Sequence, residues 1–390
     1  MNSRDWKAKG KYLQINGHSV FVIDESTDGL NKSKNTKETL VILHGYPTSS
    51  FDYYKVLPAL KEKYRVIIHD HIGFGFSDKP LDYSYSLIDQ ATIALALWKQ
   101  LGLKKVTLLA HDYGTSVATE VIARFNDKEI DLQIENLILC NGSMHIELAQ
   151  MRTIQNLLKG RFGKYVAMLT NFFIFSKNLR NVYFDKSKVT PNELRQMWQQ
   201  LQYNKGKKVI YLISRYNNER YTHWDRWIGA LKETQIPTKL VWAKQDPVAV
   251  KEMAELLTTE IPNNKLFWLE NCGHFSMLEC PNEWTTCVLS DKKEFKKLVD
   301  FYLTTKVVIL FEDALDKIVD LTTEDNYMEI TNYMIDCEHT TTELELSIYL
   351  HEIAKPEYKG LTKIIKTKLK TFKDKDAIED LENALVKINS

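Results

Sequence analysis

The sequence predicts an α/β fold: a mostly parallel sheet with helices on both faces, an inserted helical cap and a helical C-terminal extension. Three observations carry this. Short apolar runs at residues 39–43, 65–68, 106–109 and 137–140 alternate with helix-patterned segments, as parallel strands buried on both faces require. About a hundred residues rich in Phe, Tyr, Trp and Leu then separate Leu139 from the next strand at Leu240, far too many for a bare loop. Beyond Thr305, strand signals fade and lysine-rich helical patterns take over.

Taken in order, residues 12–15 and 20–23 flank Asn16-Gly17, a tight-hairpin signal. Residues 29–37 are polar and loop-like. Strand 39–43 runs into His44-Gly45-Tyr46-Pro47, and a helix is expected over residues 51–61. Strand 65–68 leads to His69-Asp70-His71 and Gly73-Phe74-Gly75-Phe76-Ser77-Asp78-Lys79-Pro80. This Gly-x-Gly is no dinucleotide fingerprint, because Asp78 stands where the third glycine belongs. His69 and His71 lack neighbours at metal-ligand spacing and read as packed, hydrogen-bonded side chains, with no metal expected. An amphipathic helix over residues 85–101 ends at Gly102. After the insertion come strands 240–242 and 266–269 with a helix over 252–257 between them. The C-terminal segment predicts helices over 312–321, 322–335, 342–354, 361–372 and 377–388. Its lysine run at 363–370 reads as a solvated helix face, since Asp374, Asp376, Glu379 and Asp380 dilute the charge.

The chain of 390 residues has room for one large core and a smaller second unit. A net charge of +1 gives no global field for nucleic acid or a membrane surface. No apolar run is long enough to span a bilayer, and the first residues do not read as a signal peptide. Five cysteines without a CxxC predict reduced thiols and a cytoplasmic location.

The chemistry centres on Ala110-His111-Asp112-Tyr113-Gly114, between a buried strand and a helix. Small residues at both ends suit a sharp strand-to-helix turn that lifts Asp112 above the sheet beside the helix's positive end. An aspartate there could instead cap the helix. Asp246 and His274 each follow a strand, 28 residues apart, on the sheet edge where Asp112 also falls.

With these loops in view, residues from about 10 to 304 resemble the α/β-hydrolase superfamily, in its aspartate-nucleophile branch of epoxide hydrolases and haloalkane dehalogenases. The resemblance implies an α/β-hydrolase fold with core residues 1–143 and 236–304, a helical cap at 144–235 and the extension at 305–390. It further implies catalysis without a cofactor on a small or medium apolar substrate. Asp112 would be the nucleophile, Asp246 the acid and His274 the base, with the backbone N–H groups of Tyr46 and Tyr113 forming the oxyanion hole. An aspartate is already anionic and can displace a leaving group at saturated carbon, forming an ester that water must then cleave. An epoxide needs a proton donor; Tyr216 matches the context of a cap tyrosine, and Tyr165, Tyr183 and Tyr211 are candidates for a second. A dehalogenase needs N–H donors for halide. Tyr46 and Tyr113 stand where that branch usually has other residues, which leaves Trp198, Trp224 or Trp227 to supply one. The epoxide reading is therefore the expectation. Its alternatives are a dehalogenase and a non-catalytic binding protein on the same fold.

Overall fold

Strands β1 (Lys11–Ile15), β2 (His18–Glu25), β3 (Thr39–Leu43), β4 (Arg65–His69), β5 (Lys105–His111), β6 (Gln133–Cys140), β7 (Thr238–Ala243) and β8 (Asn264–Leu269) form one sheet. Its order is β1-β2-β4-β3-β5-β6-β7-β8. β1 and β2 pair antiparallel, β2 joins β4 antiparallel, and every later pairing is parallel. The computed structural model describes residues 1–26, 37–290, 318–319, 322–324, 326–336 and 343–390. These fall in two compact units, Met1–Leu289 and Ser290–Ser390.

Local chemistry accounts for the elements. Asn16 and Gly17 both take positive φ (50° and 84°), so the hairpin closes in two residues, with Ile15 opposite His18. Leu40 to Leu43 in β3 and Leu108 to Ala110 in β5 are fully buried, the pattern of strands covered on both faces. β6 starts four residues before its apolar run, because Gln133 and Asn136 pair in the ladder without being apolar and Glu135 is taken up in a bulge between them. The helix expected over 51–61 is instead a 3-10 turn, Ser50–Tyr53, followed by α2 (Leu57–Lys63), α1 being Ser3–Lys9. Pro58 lies in the first turn of α2, where its missing N–H costs nothing; it cannot continue an earlier helix. α3 (Leu87–Gln100) is capped by Ser86, and α4 (Tyr113–Asn126) follows β5 directly.

The segment between β6 and β7 is helical: α5 (Thr153–Lys159), α6 (Gly163–Leu169), α7 (Phe172–Arg180), α8 (Pro191–Gln202), α9 (Ile210–Ile213), α10 (Tyr216–Thr222) and α11 (Trp224–Glu233). Buried Glu120 of α4 ties α11 down by accepting from Arg226 and the Trp227 indole. α12 (Lys251–Glu260), α13 (Ser276–Glu279) and α14 (Pro281–Leu289) complete the unit.

The second unit has its own core of Ile330, Met334, Tyr349, Leu350, Leu361 and Leu381. Its described helices are α15 (Tyr327–Asp336), α16 (Glu343–Ile353), α17 (Leu361–Lys368) and α18 (Lys375–Asn389). α17 buries Leu361 and Ile365 and turns its lysines outward. The expected junction at 304/305 and most of the helix expected over 312–321 lie outside the described residues, as does most of the polar stretch 29–37.

One expectation fails outright. Cys272 and Cys280 form a disulfide, whereas Cys140 and Cys287 do not. The bond joins cysteines eight positions apart, a proximity that spacing alone does not signal. It removes the cysteine argument for a reducing compartment. Among the described residues no helix is long and apolar enough to cross a membrane.

Candidate active site

Asp112 sits at the turn between β5 and α4 with φ 47° and ψ −110°, a strained conformation costing about 1–3 kcal/mol for a residue with a side chain. The turn is tight because α4 lies against β3: a Cβ on Gly114 would stand 2.2 Å from the Leu43 carbonyl oxygen. The Asp112 carboxylate makes no capping hydrogen bond to α4, so the helix-cap alternative is not what the fold uses. The Tyr46 backbone N–H donates to its Oδ2 at 2.9 Å, and among the described residues no donor reaches Oδ1. Gly45 permits this approach, since a Cβ there would meet His111 at 2.7 Å and the Asp112 Cβ at 3.0 Å.

His274, on the loop after β8, places Nε2 3.9 Å from Asp112 Oδ2. That is too long for a direct hydrogen bond and close enough for one water to touch both. Its Nδ1–H donates to Asp246 Oδ2 at 2.7 Å. Asp246 is fixed in turn by the Val248 N–H (2.7 Å) on Oδ1 and the Asn141 amide (2.8 Å) on Oδ2. The loop carrying His274 is over-determined. Its backbone N–H donates to Val182 O, its carbonyl accepts from His111 Nε2, Glu279 holds the Gly273 N–H, and the disulfide closes it.

Two participants were not evident from sequence. Asn141 ends β6 at positive φ (38°) and spans two strands, accepting the Ala243 N–H and donating to Asp246. A strand end on the same edge as Asp246 was the available signal. Arg220 is 2% exposed, donates to Ser116 Oγ at 2.7 Å and reaches the Asp112 carbonyl at 3.4 Å. A single arginine on an amphipathic helix carries no mark in sequence that would have found it.

Burial and charge oppose each other here. Burial favours the neutral carboxylic acid at Asp112, but the His274 and Arg220 charges hold it well below the usual carboxylate range. Burial pushes the His274 imidazole down, and the Asp246 and Asp112 carboxylates outweigh it, lifting the group to about 10. The two shifts favour charge separation, an anionic Asp112 beside a protonated His274.

Above Asp112 lies a cavity that is partly open to solvent. Leu158, Ile174, Phe175, Leu179, Val182 and Ile210 supply apolar wall; Arg152, Gln155, Thr170 and Asn178 are its polar groups beside Tyr46, Asp112 and His274. Tyr216 is buried with its ring 5.7 Å from Tyr46 and 4.9 Å from Tyr113, and with Arg220 4.6 Å away. Burial, then the Asp112 charge, raises its phenol. Tyr165 is 63% exposed and Tyr183 is buried against Phe275. Neither these tyrosines nor Tyr211 or Tyr216 is among the residues lining the cavity. The indole N–H groups of Trp224 and Trp227 donate to Glu147 and Glu120, so neither is available to a halide; Trp198 packs on Phe175. His69 and His71 are buried and touch edge to face, and among the described residues no group of His, Cys, Asp and Glu is arranged to hold a metal ion.

Comparison with known proteins agrees with this architecture. The family model for the alpha/beta hydrolase fold matches residues 38–281. The mesoderm-specific transcript homolog protein of Bos taurus is 37% identical over 284 residues, covering 71% of this chain and 83% of the relative. The crystal structure of haloalkane dehalogenase DbeA from Bradyrhizobium elkani superposes with a TM-score of 0.61 at 18% identity, over 72% of this chain and 95% of that one. Epoxide hydrolase CorEH gives 0.56 at 19% identity, over 72% and 96%.

Proposed function

Because the chain belongs to the α/β-hydrolase fold family, we propose that it is a hydrolase working through an ester on Asp112, with a small or medium apolar epoxide as substrate. The observation carrying this is the arrangement of Asp112, His274 and Asp246, at 3.9 and 2.7 Å, beneath a largely apolar cavity capped by the helical insertion.

Asp112 is the nucleophile. Oδ2 is held by the Tyr46 N–H and Oδ1 is left to attack a ring carbon. The carbon–oxygen bond breaks with its electron pair on oxygen, which takes a proton from the Tyr216 phenol. Esterification removes the Asp112 charge, one of the two that hold the His274 proton. The imidazolium then returns a proton to the phenolate and becomes a base. It takes a proton from water attacking the Asp112 carboxyl carbon, Asp246 holds its tautomer, and the Tyr46 and Tyr113 N–H groups receive the oxyanion. Collapse expels the diol's alkoxide, which takes the proton of the carboxylic acid formed, restoring the starting charges.

A dehalogenase is the second reading. One observation favours it: the insertion tyrosines are not among the cavity-lining residues, and a halide leaves without a proton donor. The two readings share the ester and differ in the leaving group. The test is a His274→Gln variant incubated with styrene oxide and with a haloalkane, followed by mass spectrometry of the peptide containing Asp112. The proposal expects an adduct of the epoxide's mass on Asp112. Turnover with no label on that peptide overturns the two-step mechanism, and an adduct from the haloalkane alone selects the second reading.

A further inference from the structure

Helices α5, α6 and α7 have two different sides. Inward, Leu158, Thr170, Ile174 and Phe175 line the cavity. Outward, Phe162, Leu169 and Phe173 are 66%, 76% and 74% exposed, and Leu157, Tyr165 and Met168 are each more than half exposed. Residues 162, 165 and 169 recur at helical spacing, so α6 carries an apolar stripe facing solvent. Exposed apolar residues are ordinarily scattered singly; a set this dense marks a contact surface.

Charge identifies what it contacts. Residues 148–184 contain Arg152, Lys159, Arg161, Lys164, Lys177 and Arg180 and no aspartate or glutamate, although the whole chain is nearly neutral at +1. Arg152 lines the cavity; among the described residues no carboxylate pairs with the other five. A second copy of the same face would oppose two sets of uncompensated cations, which disfavours self-association. Large apolar side chains set among unpaired cations fit an anionic interface with an apolar interior.

We propose that the outer face of α5–α7 docks on the surface of an anionic phospholipid bilayer. Phe162, Leu169 and Phe173 enter the headgroup boundary, and the lysines and arginines meet the phosphates. The proposed attachment is peripheral, through this face alone. Docking seats the cavity-lining helices against a reservoir of apolar molecules. That consequence rests on the hydrolase reading; the docking itself does not.

The test is co-sedimentation of the full chain with phosphatidylcholine vesicles, with and without phosphatidylserine, at low and at 0.5 M salt. Vesicles with phosphatidylserine should bind at least about tenfold more protein, and high salt should release much of it. The double variant Phe162→Ser with Leu169→Ser should lose about tenfold or more in partitioning, with an unchanged circular dichroism spectrum. Leu81→Ser, at a leucine 62% exposed elsewhere, should bind like the unmodified chain. Folded protein that ignores phosphatidylserine vesicles at low salt, or a double variant that binds as well as the parent, overturns the proposal. So does a dimer that the double variant disrupts in the absence of vesicle binding, which would make the face a self-association surface. None of these readouts requires turnover, so their failure is distinct from failure of the hydrolase reading.

Discussion

Buried imidazoles sit at two places along one sheet edge and are driven in opposite directions. Past β8, His274 has a carboxylate on Nδ1 and another 3.9 Å from Nε2, and it is held up at about 10. At the ends of β3 and β4, His44, His69 and His71 are equally buried, and among the described residues no carboxylate is hydrogen-bonded to their rings. Burial drives His44 down to about 4, His69 to about 3 and His71 well below its ordinary value. The difference is not depth but counter-charge: the same ring in the same kind of interior is an acid–base group beside Asp246 and neutral filler beside Phe74.

The signs for stability follow. His274 is protonated more readily folded than unfolded. Its pairing contributes fully below about pH 6.5 and is lost as pH rises towards 10. The other three refuse protons that the unfolded chain accepts. Their contribution is intact above about pH 6.5 and erodes as pH falls towards 4.

Three changes sharpen the contrast, in decreasing order of effect. His274→Gln should cut steady-state turnover by roughly 10⁴ while ester formation survives, because only the second step needs the base. Equal loss in single-turnover ester formation would remove the distinction between the steps. Asn141→Ala removes one of the groups holding Asp246 and should lower kcat about tenfold with little change in KM. A change confined to KM would show that Asn141 acts on binding instead. On the other side, both ring nitrogens of His71 lack a partner among the described residues. His71→Phe should leave activity near that of the parent and shrink the loss of Tm between pH 7.5 and pH 5 by a few degrees. An undiminished loss would mean that His71 does not resist protonation in the fold.

Sequence made one half of this contrast readable and hid the other. The apolar runs of β3, β4, β5 and β7 mark strands because both faces are buried, and Asp112 stood out through its small flanking residues. Asp246 and His274 were legible as strand-end residues in chain order. Asn141 was not, since its role depends on two strands lying side by side, and an Asn-Gly at a strand end reads as a turn. The Cys272–Cys280 pair and the buried Arg220 likewise arise only after tertiary folding. The leaving-group partner stayed open for the same reason. Local context points to Tyr216, whose ring packs against Tyr46 and Tyr113. The local basic surface of residues 148–184 was masked by a net charge summed over the whole chain.

The carboxyl carbon of Asp112, rather than the substrate, is where water adds in this account, and one measurement addresses it directly. The unmodified enzyme, in excess over styrene oxide, is allowed a single turnover in water enriched in oxygen-18, and the diol and the Asp112 peptide are weighed. The account predicts heavy oxygen in the Asp112 carboxylate and none in the first-turnover diol. Label in the diol with an unlabelled Asp112 would contradict it.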